Sequence, residues 1–246
     1  METTDKEGVT QVPLAKALAI VKESVCIVEC SSIGKMGTGF VIGHGDGKFF
    51  VATAVHVVRV VATLDTGGKK AASNPCNPVR IWFPDGPYDA NFVLTSFELD
   101  IAVYKVESPR KMIPYVNMPD RYLIEGTDIA ACGFIGDMKT MVRTGKGDGF
   151  GYYLSTITGI VSANIPRSWM DDKYVYQLDC TVYPGMSGGP LFTYYDGRPE
   201  VWGIVTTTVP ILSGIVHHPL AWAISTKHLR EGLTVFNEYI AKKKSV

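Results

Sequence analysis

A glycine-rich segment, residues 183–191 (YPGMSGGPL), places one serine where a catalytic nucleophile could stand. Ser187 follows a Pro-Gly turn and precedes two glycines, so the backbone can turn tightly and expose the serine oxygen. The same glycines let backbone N–H groups converge beside that oxygen, where an acyl-transfer reaction develops negative charge. Taken alone, the segment fits a glycine-rich β-turn with an ordinary serine equally well.

A serine hydroxyl is a weak nucleophile, and it needs a nearby base that is itself oriented by an acid. His56 lies near the end of the apolar run 49–58, and Asp100 lies in the run 97–106, at the start of another strand-like stretch. Singly, the histidine fits a buried core residue and the aspartate a turn residue. Together with Ser187, in the chain order His, Asp, Ser, they indicate nucleophilic acyl transfer far more strongly.

These residues are embedded in short strand-like runs that are separated by turn-rich segments. Closed antiparallel barrels are a common fold for so many short strands, so we predict two strand-rich halves of that kind. A short helix is predicted over 13–23, and a C-terminal helix over 226–244 from its apolar spacing. The predicted strands are 24–31, 39–42, 49–52, 79–83, 101–106, 127–133, 152–163, 174–179, 190–195, 201–207 and 219–224.

The predicted domain organisation divides the chain into four segments. They are a flexible N-terminal arm (1–12), an N-terminal barrel with His56 and Asp100 (13–115), a C-terminal barrel with Ser187 (116–225), and a C-terminal helix and tail (226–246).

Composition excludes several classes of function. The 24 basic and 24 acidic side chains give a net charge of zero, which argues against nucleic-acid or membrane-surface binding. The N-terminus has no recognisable signal peptide, and no apolar run approaches a membrane span. The cysteines are odd in number and form no C-x-x-C pair, so we predict free, mostly buried thiols, no zinc site and a reducing, cytoplasmic location. They are Cys26, Cys30, Cys76, Cys132 and Cys180.

The chain resembles the chymotrypsin-fold (trypsin-like) serine proteases, with a pattern similar to HtrA/Deg-like members that lack disulfides, here without a PDZ domain. The resemblance covers roughly residues 13–240 and implies an all-β fold of two six-stranded antiparallel barrels. Its most specific motifs are GTGFVI (37–42), TAVHVV (53–58), DIAVYKV (100–106) and QLDCTVYPGMSGGPL (177–191).

The resemblance also implies a reaction. Ser187 would attack a peptide carbonyl, His56 would relay the proton, and Asp100 would hold the histidine tautomer. Backbone N–H groups of Gly185 and Ser187 would form the oxyanion hole. No metal or cofactor is implied. In digestive trypsins an acidic residue at the position of Met186 pairs with a new N-terminus after cleavage. Because methionine cannot form that ion pair, we expect the activity to be controlled by loop order, an effector or assembly. Residues 136–151 are either a candidate moving loop or a functionally silent insert.

Specificity follows from the same resemblance. Thr181 would lie at the floor of the primary pocket, with Leu220 nearby, so a shallow uncharged pocket for a small or medium apolar residue is expected. His217 and His218 keep a glutamate- or glutamine-selective alternative open. Strand residues that would pair with the substrate backbone by β-augmentation are Thr206, Thr207 and Thr208.

We therefore expect a serine endopeptidase acting on a protein or peptide substrate, with a possible regulatory protein or oligomer partner. Two alternatives stay open. One is a viral chymotrypsin-like protease that processes a polyprotein, and the other is an inactive protease-fold module that binds proteins.

Overall fold

The computed structural model describes residues 13–61, 73–107, 111–135, 140–144, 147–151, 153–166, 174–209 and 220–244. All structural statements below concern those residues. In chain order the elements are α1 (Pro13–Val21), β1 (Val25–Cys30), β2 (Lys35–Gly45), β3 (Lys48–Ala54), α2 (Val55–Val58), β4 (Arg59–Val61), β5 (Ser73–Pro75), β6 (Val79–Phe83), β7 (Gly86–Ser96), β8 (Ile101–Val106), β9 (Asp128–Phe134), β10 (Thr140–Thr144), β11 (Gly147–Gly151), β12 (Leu154–Pro166), β13 (Tyr174–Leu178), β14 (Pro190–Tyr195), β15 (Arg198–Val209), β16 (Leu220–Ser225) and α3 (Thr226–Lys244).

Two closed antiparallel barrels form the fold, each with six strands. The first has the strand order β1-β2-β3-β8-β7-β6, and the second has the order β12-β13-β16-β15-β14-β9. Strands β4 and β5 form one separate hairpin-like sheet, and β10 and β11 form another. The predicted fold class, all-β with two six-stranded barrels, is confirmed.

Strand β8 shows how both faces of a strand can be buried. Ala102 and Tyr104 point into the interior of the first barrel, whereas Ile101 and Val103 join a second core that lies between the barrels. That core also contains Phe192 of β14 in the second barrel. A strand that faces two cores reads as a continuous apolar run, because period-2 alternation then places apolar residues on both sides.

The two predicted helices are present. Helix α3 has the predicted bounds, and α1 ends at Val21, two residues before the predicted end, where a 3₁₀ turn follows. Ala17 and Val21 of α1 bury their side chains in the core between the barrels, and α1 contacts β14 and β15. A helix that the sequence assigns to the first-barrel segment therefore packs on the second barrel.

Strand β7 is the main element that the sequence prediction omitted. Pro87, Asp89 and Asn91 interrupt its apolar pattern, although Tyr88 and Ala90 alternate with them and are buried. It closes the first barrel between β6 and β8, so tertiary pairing overrides a weak local signal.

A disulfide joins Cys30 at the end of β1 to Cys76 just before β6, with the Cα atoms 6.0 Å apart. Strands β1 and β6 are neighbours in the first barrel, which brings together cysteines that lie 46 residues apart in sequence. The prediction that all five thiols are free is therefore wrong. The predicted cytoplasmic, reducing location is wrong as well, because disulfides persist mainly in oxidising compartments. The remaining cysteines, Cys26, Cys132 and Cys180, are free.

Candidate active site

His56 lies on α2, a single helical turn directly after β3. The other three residues of that turn, all valines, are buried, so the histidine is the one position of the turn that faces outward. Its side chain is 43% exposed, in contrast to the buried strand that precedes it. The sequence run of valines and alanines therefore anchors the turn and leaves the imidazole accessible.

Asp100 lies directly before β8 and adopts a left-handed backbone conformation with φ of 57°. Aspartate tolerates this conformation better than most residues. Its Oδ1 accepts a hydrogen bond of 2.9 Å from the His56 backbone N–H, and its Oδ2 lies 2.7 Å from His56 Nδ1. Because a carboxylate accepts, Nδ1 must donate, and the lone pair of the neutral ring is then on Nε2.

The loop that carries Ser187 is folded by its glycines. Gly185 and Gly188 have positive φ values of 93° and 88°. A Cβ atom at Gly188 would lie 2.0 Å from the carbonyl oxygen of Thr38, so no larger residue fits there. The Met186 N–H donates to the Tyr183 carbonyl at 3.0 Å, which closes the turn before the serine.

The Ser187 hydroxyl donates a hydrogen bond of 2.7 Å to the carbonyl oxygen of Thr206 in β15. Within the part of the chain that the structure describes, no hydrogen bond joins Ser187 to His56. In that same part, the N–H groups of Gly185 and Ser187 donate to no protein acceptor. Two N–H groups of the nucleophile loop are thus without an acceptor among the described residues.

Gly37 brings the histidine turn and the serine loop together across the two barrels. A Cβ atom at this position would lie 2.6 Å from Val57 Cγ2 and 3.0 Å from the carbonyl oxygen of Ser187. The first glycine of the GTGFVI motif therefore lets the neighbour of His56 and the nucleophile loop pack against one strand.

The predicted specificity residues lie in two places. Thr181 is exposed on the segment between β13 and Ser187. Thr206 is buried in β15, and its Oγ1 lies 3.4 Å from the Trp222 carbonyl oxygen. Thr207 and Thr208 follow in β15, and Leu220 opens β16 opposite Val209.

Two further predictions concern loops. His217 and His218 lie outside the described residues. Residues 136–151, predicted as a loop, contain β10 and β11, which pair antiparallel from Thr140 with Gly151 to Thr144 with Gly147.

Cys180 lies beside Thr181 in surroundings that disfavour its thiolate form. Burial, with a smaller contribution from the charge of Asp179, raises the pKa of the Cys180 thiol to about 11. The group is therefore a neutral thiol near pH 7, and thiolate chemistry is not favoured there. Across the described ranges, no cluster of three or more His, Cys, Asp or Glu side chains is arranged to hold a metal ion.

Thr38 is a residue that the sequence reasoning did not single out. It lies in the GTGFVI motif of the family resemblance, where the sequence predicts only a strand over 39–42, yet its side chain is fully buried and contacts the nucleophile loop. The available signal was a hydroxyl between two glycines within an otherwise apolar strand.

Comparison with known proteins places this geometry in a family. Residues 37–204 match the trypsin-like peptidase domain, a match that includes His56, Asp100 and Ser187. Over 172 residues the chain is 33% identical to a protein of Marinomonas sp. (strain MWYL1) described as a probable periplasmic DegP-like serine endoprotease. That alignment covers 69% of this chain and 29% of the relative, so the chain spans under a third of that protein's length.

Solved structures share the fold. The serine endoprotease from Yersinia pestis superposes with a TM-score of 0.63 at 18% identity, over 93% of this chain and 68% of that one. An inactive form of Rv3671c from M. tuberculosis H37Rv, a mutant, superposes with a TM-score of 0.62 at 21% identity, over 94% and 96% of the two chains. In the described ranges, no helix has the length and apolar character needed to span a bilayer.

These findings confirm the predicted resemblance to trypsin-like, DegP-like serine proteases and leave two corrections. The predicted absence of disulfides is wrong, and the predicted cytoplasmic location is contradicted by the disulfide and by a relative described as periplasmic. Since the family match extends over more than half of its length and includes the histidine, aspartate and serine described above, the chain belongs to the trypsin-like serine peptidases.

Proposed function

We propose that this chain is a serine endopeptidase that hydrolyses peptide bonds through Ser187, His56 and Asp100. The observation that carries the proposal is the pair of contacts between His56 and Asp100, one to the backbone N–H and one to Nδ1. Two contacts fix both the position and the tautomer of the imidazole, which directs the basic Nε2 away from the carboxylate. A structural histidine would not require this double constraint.

In the first half of the reaction, Ser187 Oγ forms a bond to the substrate carbonyl carbon while its proton passes to His56 Nε2. The carbonyl oxygen becomes an oxyanion that accepts hydrogen bonds from the N–H groups of Gly185 and Ser187. The C–N bond then breaks, His56 returns the proton to the leaving amine, and an acyl-enzyme ester remains on Ser187.

In the second half, a water molecule gives its proton to His56 and its oxygen attacks the ester carbonyl. The tetrahedral intermediate collapses, Ser187 takes the proton back from His56, and the carboxylic acid product leaves. Throughout, the Asp100 carboxylate accepts the hydrogen bond from Nδ1–H and stabilises the imidazolium that forms twice in each cycle.

The preference before the cut is proposed to be a small or medium apolar residue. Thr181, which the family resemblance assigns to the base of the pocket, is uncharged, and Thr206 to Thr208 would provide a strand edge for an extended substrate. A peptide library tests this idea: enrichment of alanine, valine or leucine before the cut supports it, and strong preference for arginine, lysine or glutamate contradicts it.

The disulfide between Cys30 and Cys76 favours an oxidising location, and the DegP-like relative is described as periplasmic, so we propose that this protein is exported. Its substrates would then be polypeptides of that compartment. Fractionation of the native source, with the thiol state of the two cysteines measured in each fraction, tests this proposal.

A fluorophosphonate probe tests the activity itself. The wild type should be labelled, Ser187→Ala should not, and the same variant should lose peptide hydrolysis by several orders of magnitude while unfolding at an unchanged urea concentration. Absence of labelling of the wild type under all conditions would instead support the inactive, protein-binding module.

A further inference from the structure

We infer that Thr38, in strand β2 of the first barrel, is the positioning residue of the oxyanion hole in the second barrel. The inference rests on the proposed function, since it concerns the N–H groups of Gly185 and Ser187. It assigns to a buried threonine hydroxyl the task of holding those donors in place for the transition state.

The two residues that supply the proposed oxyanion donors give their carbonyl oxygens to this one threonine. Thr38 Oγ1 donates a hydrogen bond of 2.7 Å to the carbonyl oxygen of Gly185. The Thr38 backbone N–H donates one of 2.8 Å to the carbonyl oxygen of Ser187. Because both carbonyls are held from the first barrel, the Gly185–Met186 and Ser187–Gly188 peptide groups cannot rotate without breaking one of these hydrogen bonds.

The direction of the Thr38 hydroxyl is fixed by its other partner. The Phe134 backbone N–H in β9 donates to Thr38 Oγ1 at 2.9 Å, so the oxygen already acts as an acceptor there. The single hydroxyl proton is then free to point at the Gly185 carbonyl. Thr53 Oγ1 donates a hydrogen bond of 2.7 Å to the carbonyl oxygen of Thr38, and this bond anchors Thr38 in its own barrel.

The packing around Thr38 leaves the nucleophile loop little space for another conformation. A Cβ atom at Gly188 would lie 2.0 Å from the Thr38 carbonyl oxygen, and one at Gly133 would lie 2.8 Å from both Thr38 Oγ1 and the Met186 Cα. The threonine side chain is fully buried at this contact. Removal of the hydroxyl would leave the Gly185 carbonyl and the Phe134 N–H without this partner at a partly buried contact, where such losses are costly.

Kinetics of two variants test the inference. Thr38→Val keeps the shape and removes the hydroxyl, and we expect kcat to fall about 10- to 100-fold with KM within about 3-fold of the wild type. Loss of one oxyanion donor outright costs about 100- to 1000-fold, and a displaced donor should cost less. Thr38→Ser keeps the hydroxyl and should recover most of kcat.

A transition-state analogue separates positioning from a merely structural role. A peptide boronate forms a tetrahedral adduct with Ser187, and its affinity for Thr38→Val should fall by about the same factor as kcat/KM. The affinity for the product peptide should stay unchanged. The control variant is Thr226→Val, which removes another buried threonine hydroxyl, bonded to the Val201 carbonyl at 3.0 Å, and should lower stability without changing kcat.

Each outcome supports or contradicts either the positioning role of Thr38 or the proposed function. Labelling of the wild type by the fluorophosphonate supports the proposed function. In that case the positioning role is still wrong if Thr38→Val keeps the kcat of the wild type, or if it loses affinity for the boronate and for the product equally. If the wild type is never labelled, the proposed function itself fails. Should Thr38→Val not fold, Thr38→Ala against Thr38→Ser gives the same comparison, and equal kcat values in that pair contradict the role.

Discussion

Ser187 Oγ donates a hydrogen bond of 2.7 Å to the carbonyl oxygen of Thr206, while the His56 N–H and Nδ1 bond to the Asp100 carboxylate. The hydroxyl of the proposed nucleophile is therefore held by strand β15 and has to leave that carbonyl before it can give its proton to His56. The Thr206 carbonyl lies in the strand that we propose as the pairing edge for the substrate. A substrate N–H that bonds to this carbonyl would release the hydroxyl.

N-methylated peptide substrates test this release. Methylation of the amide nitrogen of the residue before the cut removes the N–H that would displace Ser187 from Thr206, so kcat/KM should fall about 10-fold, the value of one hydrogen bond. Methylation of the preceding residue is the control, because alternate N–H groups of an extended strand point to opposite sides. Equal effects at the two positions would contradict the displacement.

The Asp100→Asn variant should lower kcat by about four orders of magnitude with little change in KM. The carboxylate faces two donors, the His56 backbone N–H and Nδ1–H. An asparagine has only one oxygen, so when that oxygen faces the backbone N–H, its NH₂ group meets Nδ1 and drives the proton to Nε2. The ring then cannot accept the proton of Ser187.

Steady-state kinetics of Asp100→Asn beside Asp128→Asn measure this effect. Asp128 is exposed at the start of β9, and its substitution should change kcat less than about 2-fold. A loss of less than 10-fold for Asp100→Asn would show that the pair does not set the tautomer.

The sequence was informative about the candidate site where a chemically suitable side chain lies in a recognisable local pattern. The glycines around Ser187, the valines around His56 and the polar residue before β8 are local signals, and all three predicted residues lie in the expected element or at its edge. The role of Thr38 could not be read in the same way, because its partners come from β3, β9 and the serine loop.

The disulfide and β7 were missed for a related reason. Cys30 and Cys76 meet only because β1 pairs with β6, and a parity count of cysteines carries no information on such pairing. Strand β7 is stabilised by neighbours on both sides and not by its own composition. Contacts between residues distant in sequence decide these features, so local patterns cannot predict them.

Gly188→Ala should destabilise the fold strongly, because the position combines a positive φ with a carbonyl oxygen 2.0 Å from the new Cβ. We expect the free energy of unfolding to fall by about 3 kcal/mol or more, from the left-handed backbone and the clash together. Gly197→Ala is the matched control: its φ is 78°, but nothing lies within 4 Å of its Cβ position. It should cost only about 1 to 2 kcal/mol.

Urea unfolding followed by tryptophan fluorescence measures both glycine variants. Equal losses for Gly188→Ala and Gly197→Ala would mean that the loop moves away from Thr38 at little cost, and the tight contact between the barrels would then not be essential.

The disulfide predicts how many thiols react. In denaturant, thiol titration should give three free thiols per chain without reductant, those of Cys26, Cys132 and Cys180, and five after reduction. Five thiols before reduction would contradict the bond between Cys30 and Cys76.

Loss of the disulfide should lower stability through the unfolded state. The bond closes a loop with a sequence separation of 46, and the double variant Cys30→Ala with Cys76→Ala should reduce the free energy of unfolding by about 2 to 4 kcal/mol, since the unfolded chain gains conformational freedom. Reductant should bring the wild type close to the double variant and leave the variant itself unchanged. A wild type whose urea midpoint does not respond to reductant would show that the β1–β6 pairing, without the bond, already holds this part of the barrel.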